Sequence, residues 1–312
     1  MRKFLLLIIF ILINMSTNLY ATSPEMDEFQ TIDTIGLKIL SWNIYMLPYI
    51  SLFNQNAIRA KTIAERLNKS DYNIIVFQEA FSSKCRNILS SRLKANYPYQ
   101  YGPANKNFLP FMTNSGLWIV SKLPLTKLQE FQFSKSKGFD AIARKGAVLF
   151  EGNFKGSPFQ LLTTHLQADF SHTVRNTQCM EIKDQLLNKF YREDTPQFIC
   201  GDFNIDMDDE HNYKNMLKTL DAQNGELSGN VKFTYDEVEN NLAKSPQGKR
   251  KVIDYVLVRN SSLIHKIERK AQTFLTSIGK QVTNLSDHYA MEFQVNFAPT
   301  ITNTSSQLFS ER

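Results

Sequence analysis

The stretch Gln197-Phe-Ile-Cys-Gly-Asp-Phe-Asn-Ile-Asp206 has residue types and a spacing that can do chemistry. Phe198-Ile199-Cys200 is an apolar run of the length and type of a buried strand. At Gly201 the missing side chain lets something approach the backbone closely. Asp202 and Asn204 are two residues apart, so on an extended backbone both project to the same side. A carboxylate beside an amide can hold a water, a metal ion or a phosphate oxygen. A strand followed by a simple Asx turn has the same composition, so the remainder of the chain must decide.

Strand after strand ends in a similar way. Leu37-Lys-Ile-Leu-Ser-Trp-Asn43 alternates and stops at Asn43, and Tyr72-Asn-Ile-Ile-Val-Phe77 is followed by Gln78-Glu79. The run Phe159 to Thr164 leads into His165, and Ser286-Asp287-His288 opens the last strand. Val252 to Val258 carries one acid, Asp254. If each polar residue sits where its strand leaves the sheet, one edge gathers carboxylates, amides and imidazoles. That set suits metal-assisted phosphoester hydrolysis. Glu79 and Asn43 offer the oxygen donors that a hard divalent cation prefers. Histidine supplies a base near neutrality. His165 and Asn204 can donate to the charge that develops on phosphorus. Asp254 can orient His288 by accepting its other ring proton.

Positioning such a set takes many strands and few helices. Besides the runs above, strands are predicted over 116–121, 126–133, 146–154, 263–274 and 289–297. Helices are predicted over 56–68 with Asn56 as its cap, 82–94, 172–191 and 209–220. No repeat or linker interrupts 37–297, which reads as one domain of two packed β-sheets with helices outside. The chain has 312 residues, 42% of them hydrophobic, enough for a substantial core. Residues 1–21 carry Arg2-Lys3, an apolar run Phe4 to Ile13 and Leu19-Tyr-Ala21, the pattern of a secretory signal peptide, so a secreted protein is expected. Residues 22–36 read as a polar lead and 298–312 as a polar tail.

The formal charge is +6, but the basic residues are dispersed and form no duplex-binding cluster. No nucleic-acid partner is therefore expected. Of the three cysteines, Cys200 reads as a core residue, while a Cys85–Cys179 bridge stays open. Phe108-Leu-Pro-Phe-Met112 lies in an aromatic-rich loop and is either buried or lipid-facing.

Taken together and in order, Trp-Asn43, Gln-Glu79, Thr-His165-Leu-Gln, Gly-Asp202-Phe-Asn204, Ile-Asp254-Tyr and Ser-Asp287-His288 resemble the motifs of the endonuclease/exonuclease/phosphatase superfamily. The resemblance runs from about residue 37 to 297. It implies a four-layered α/β sandwich, two packed mixed β-sheets flanked by helices, with a Mg²⁺ site between loops of the two sheets. Asn43-Ile-Tyr-Met-Leu-Pro48, Lys137 to Gly146 and His165-Leu-Gln-Ala168 are similar to stretches of bacterial neutral sphingomyelinases. That likeness implies a secreted, Mg²⁺-dependent phosphodiesterase, expected to be a monomer, that cleaves sphingomyelin in membrane surfaces to ceramide and phosphocholine.

By the same resemblance, Glu79 binds the metal with Asn43 assisting, and His288 is the general base oriented by Asp254. Asp202 and Asn204 position the water, the phosphate or both. His165, supported by Asp287, stabilises phosphate charge or helps the ceramide oxygen leave. Choline recognition would use an aromatic cage drawn from residues such as Tyr45, Tyr49, Phe108 and Phe111. The chain departs from the pattern before Ser-Asp-His. A Trp-Phe pair is common there, and this chain has Phe274-Leu-Thr-Ser-Ile-Gly279, which shifts the expected lipid contact to Phe274, Leu275 and Ile278. A secreted deoxyribonuclease and a non-catalytic membrane-binding module are the alternatives on this scaffold.

Overall fold

The computed structural model describes residues 36–47, 55–106, 113–168 and 171–298. The expected signal peptide, most of the polar lead, Pro48, Tyr49, the Phe108–Met112 stretch and the tail after 298 lie outside the described residues.

Alternation of side chains builds the first sheet. In β1 (Leu37–Asn43), Leu37 and Ile39 face the sheet–sheet interior, whereas Leu40 and Trp42 face the opposite side. β2 (Ile74–Gln78) repeats the pattern with Ile74 and Val76 inward, Ile75 and Phe77 outward. Two helices cover the outward face. In α1 (Asn56–Asn68) the buried residues Ala60, Ile63, Ala64 and Leu67 recur at helical spacing. In α2 (Ser83–Leu93) Cys85, Leu89 and Leu93 do the same, and Ser82 caps the helix by accepting from Cys85 N at 3.4 Å. Asn56 is not the cap expected for α1. Gln55 holds that position in a left-handed conformation, and the Asn56 side chain instead donates to Leu47 O and accepts from Arg59.

The sheet is completed by β3 (Tyr99–Tyr101), β4 (Trp118–Ser121), and two strands from the far end of the chain. The second sheet is built from β5 (Leu125–Gln132), β6 (Gly146–Phe154), β7 (Ser157–His165), β8 (Gln197–Asp202) and, after the short ribbon β9 (Tyr235–Asp236) and β10 (Arg250–Lys251), β11 (Asp254–Arg259). Its order is β11-β8-β7-β6-β5. Its outer face is covered by α3 (His172–Ile182), which runs on into a π-helical turn to Leu187, and by α4 (Glu210–Leu220). The single helix expected over 172–191 thus changes its winding after Ile182. β12 (Ile264–Gln272) and β15 (Ala290–Phe297) return to the first sheet, giving β12-β15-β1-β2-β4-β3. Between them, β13 (Leu275–Ile278) and β14 (Gln281–Asn284) form a separate hairpin.

Val148, Phe150, Leu161, Phe198 and Val256 of the second sheet pack on Ile39, Val76, Ile119 and Phe293 of the first. The layers are therefore helices, sheet, sheet, helices, the sandwich that the motifs implied. All three cysteines are free and buried: Cys85 is on α2 and Cys179 on α3, which cover opposite outer faces. The Cys85–Cys179 bridge left open from the sequence is excluded by this placement.

Register sets where the polar strand ends meet. β1 and β2 are parallel with Asn43 opposite Gln78, so Glu79 leaves the sheet beside Asn43. β7 and β8 are parallel with His165 opposite Asp202, and antiparallel β11 begins with Asp254 opposite Asp202. A Cβ at Gly201 would collide with the Thr164 carbonyl, so this tight β7–β8 pairing requires glycine. β15 runs antiparallel to β1 with Met291 opposite Ser41, which brings the preceding Asp287 and His288 to the same edge.

Candidate active site

Asn43 reaches from the first sheet to the second. Its Nδ2 donates to Asp202 Oδ2 at 3.1 Å, while its Oδ1 accepts from Tyr45 N at 3.1 Å. Glu79 turns off the end of β2 with φ 53°, a left-handed conformation that costs a non-glycine residue free energy. Its Oε2 is buried and accepts no hydrogen bond. Asp202 accepts from Asn204 N at 3.0 Å, and Asn204 Nδ2 donates to Leu166 O at 3.2 Å. The Asn204 amide thus has one of its two N–H groups committed to backbone.

His288 lies between two acids: its Nδ1 is 2.9 Å from Asp254 Oδ2 and its Nε2 3.7 Å from Asp202 Oδ2. The loop that carries it is tied to β1. Trp42 Nε1 donates to His288 O at 3.1 Å, and Ser286 Oγ donates to Asn43 O at 2.6 Å. His165 Nε2 is 3.5 Å from Asp202 Oδ2, so Asp202 borders Asn43, His165 and His288 together. Asp287, expected beside His165, sits elsewhere. Its Oδ1 is 3.2 Å from Ser286 Oγ, and its charge acts on Glu79.

The partner of His165 is Lys145, which sequence reasoning missed as a site residue. Its Nζ is 3.0 Å from His165 Nε2, 3.0 Å from Leu166 O and 2.9 Å from Asp140 Oδ1. Three acceptors use all three ammonium protons, so His165 Nε2 accepts and the ring proton resides on Nδ1. His165 Nδ1 is buried without a partner. The only hint in the sequence is that Lys145 falls within the 137–146 stretch; a lysine just before a strand otherwise reads as solvated. Tyr235 of the β9–β10 ribbon was also missed, and its ring packs 5.2 Å from the His288 ring.

These groups line a cleft of about 490 Å³, with Glu79, His165, Asp202, Asn204, Tyr235 and His288 on its walls. Burial, then the neighbouring Asp287, pushes the Glu79 carboxyl up to about 7. Burial, then Asp254, pushes Asp202 up to about 6. Burial also raises Asp287. Burial opposes charge on His288, but Asp254 and Asp202 outweigh it and hold the imidazole well above its ordinary value. His165 is held well below its ordinary value by burial and by the Lys145 cation, and is neutral.

Four carboxylates crowded at one strand edge, with Glu79 Oε2 and Asp254 Oδ1 buried and unpaired, fit a hard divalent cation. Asp202, Asp254 and His288 also place one donor atom each within 4.8 Å of one another. Glu79 and Asn43 border this group, so the donor set at the edge is larger than the pair expected from sequence.

Several known proteins are similar to this chain over most of its length. Sphingomyelinase C 2 of Leptospira interrogans serogroup Icterohaemorrhagiae serovar Lai is 29% identical over 286 residues, covering 82% of this chain and 45% of that protein. The chain thus spans about half the length of that relative. Sphingomyelinase C of Bacillus cereus is 28% identical over 310 residues, covering 87% of this chain and 92% of its own. The crystal structure of a beta toxin mutant from Staphylococcus aureus with bound magnesium ions superposes with a TM-score of 0.71 at 25% identity, over 83% of this chain and 99% of that one. The profile of the Endonuclease/Exonuclease/phosphatase family matches residues 40–288, and the chain belongs to that family.

Proposed function

We propose that this chain is a secreted, Mg²⁺-dependent phosphodiesterase that hydrolyses sphingomyelin in membrane surfaces to ceramide and phosphocholine. The observation that carries the reading is the meeting, across both sheets, of an Asp254–His288 pair with Asp202 and a Glu79 whose Oε2 has no partner. The similarity to sphingomyelinases C supplies the substrate class.

Glu79 and Asn43 would hold Mg²⁺, with Asp202 at their border. Bound there, the ion supplies Lewis-acid polarisation of the phosphoryl group. In its neutral form His288 takes the proton of the attacking water at Nε2 while Asp254 accepts Nδ1–H, which fixes the tautomer and offsets the imidazolium charge. Asp202 and Asn204 orient the water, the phosphate or both. Lys145 and His165 stand on the far side of Asp202 from Asp254. Lys145 contributes positive charge toward the phosphate, and neutral His165 carries its proton on Nδ1 as a donor for the developing charge or the leaving ceramide oxygen.

The β13–β14 hairpin is the proposed lipid contact. Val282 lies opposite Ser277, and Leu275 is two residues from Ser277, so Leu275 and Val282 share a face. They are 44% and 62% exposed, whereas Phe274 turns inward and packs 4.8 Å from Trp42. The lipid-facing role expected of Phe274 therefore passes to Val282.

The test is a parallel assay on sphingomyelin vesicles, phosphatidylcholine vesicles and plasmid DNA, with Mg²⁺ or with EDTA. Phosphocholine release from sphingomyelin that stops with EDTA is expected. DNA cleavage without sphingomyelin turnover would overturn the reading in favour of an endonuclease.

A further inference from the structure

Arg59 stands on α1, and its guanidinium touches no group named above as reacting. It is nevertheless 1% exposed. Nε donates to Leu285 O at 2.9 Å, Nη2 to Ile44 O at 2.6 Å, and Nη1 to Tyr45 O and Asn56 Oδ1, both at 3.0 Å. Ile44 and Tyr45 directly follow Asn43. Leu285 directly precedes Ser286-Asp287-His288. One planar fork therefore joins the segment that carries Asn43 to the segment that carries His288. Burying an arginine is costly, and an apolar residue would fill an α1 site beside Ala60 and Ile63 at lower cost. The carbonyls it satisfies belong to two segments that are 240 residues apart in the chain, as Tyr45 and Leu285 show (285 − 45). Its charge also faces Asp287 and Glu79, the acids on that side of the site.

We propose that Arg59 is a positioning residue that sets the distance between the cation-facing side chains Asn43 and Glu79 and the base His288. It acts through the backbone of residues 44–45 and 285 and touches neither substrate nor metal. The assignment rests on the phosphodiesterase reading of the same site. Lysine in its place keeps the charge but offers a single point of donation, which cannot span three carbonyls on two segments. The segments would then separate slightly, and a displacement on the order of 1 Å costs about a hundredfold in rate.

The experiment compares wild type, Arg59→Lys and Arg59→Ala on bis(p-nitrophenyl) phosphate at saturating Mg²⁺, a diester that does not depend on the lipid reading. Thermal unfolding is followed alongside. The indole N–H resonance of Trp42, one of two tryptophans, reports on its bond to His288 O without any turnover. Arg59→Lys is expected to unfold cooperatively, to lose turnover about a hundredfold and to shift the Trp42 resonance while leaving that of Trp118. Low-millimolar guanidinium should restore part of the Arg59→Ala rate, whereas a protein that is merely less stable would not gain from it. A folded Arg59→Lys with wild-type turnover or an unmoved Trp42 resonance overturns the proposal. Should both variants fail to fold, Asn56→Ala decides. It removes the side chain that fixes the fork, and an unchanged rate and Trp42 resonance there overturn the proposal as well. A wild type inert toward every diester overturns the proposed function, and the Trp42 resonance then still judges Arg59.

Discussion

Replacing Glu79 by glutamine should make the metal-free protein more stable. The carboxyl lies at about 7 against an ordinary 4.5, through burial and through Asp287. Below the ordinary value, folded and unfolded chains both hold the proton and Glu79 contributes nothing. Between 4.5 and about 7 the folded chain keeps a proton that the unfolded chain has released, so metal-free stability falls as pH rises through that window. Above it, the full penalty is present, about 3 kcal/mol. Glu79→Gln keeps the shape and removes the charge. Its metal-free melting temperature at pH 8 should exceed that of wild type by on the order of 5 °C, and the difference should vanish at about pH 4. Mg²⁺ should reverse the ranking, because wild type gains about 4.1 kcal/mol at a thousandfold excess over the dissociation constant while the variant gains little. Differential scanning fluorimetry at both pH values, with EDTA or Mg²⁺, measures all four quantities. A variant no more stable than wild type at pH 8 in EDTA, or equally stabilised by Mg²⁺, would refute the placement of the cation at Glu79.

His288→Ala should lower turnover about 10²–10⁴-fold, and Asp254→Asn should approach it because the imidazole loses its carboxylate partner; stopped assays on a soluble phosphocholine ester at constant Mg²⁺ check both. Leu275→Ser with Val282→Ser should weaken binding to sphingomyelin vesicles at least about a hundredfold, since each side chain contributes roughly 1.5–3 kcal/mol when buried in lipid. The soluble ester should be hydrolysed at the wild-type rate, and a co-sedimentation assay separates the two effects. Three thiols should titrate after unfolding without reductant, and reductant should leave the melting temperature unchanged, because all three cysteines are free and each is buried in a different core cluster.

The strand ends were legible because a buried strand writes its limits in apolar residues of period two. Asn43, Glu79, His165 and Asp202 stand where such a run stops, and His288 stands just before one begins. The Asp254–His288 pair was legible from chemistry, since a basic imidazole calls for a carboxylate on its other nitrogen. Lys145 and Arg59 were not. Each is a long cationic side chain that the sequence presents as solvated, and only tertiary contacts turn it inward. Asp287 was assigned to the wrong neighbour because adjacent residues on a turn point to different sides, and sequence order does not say which. Leu275–Ile278 and Gln281–Asn284 pair as a hairpin around Gly279-Lys280 that no predicted strand covers, because its apolar residues are few.

The pairing of β1 with both β2 and β15 has a consequence for how this molecule matures. The second sheet is built from one continuous stretch, Leu125 to Arg259, and can assemble as soon as that stretch is available. The first sheet cannot. Its middle strand waits with one side unpaired until Ala290 to Phe297 arrive from the far end of the chain. A growing chain therefore holds Asn43, Glu79, His165 and Asp202 long before it holds His288. Closing so long a loop is slow, and a complete candidate site becomes the last property the chain acquires, a built-in delay between synthesis and competence.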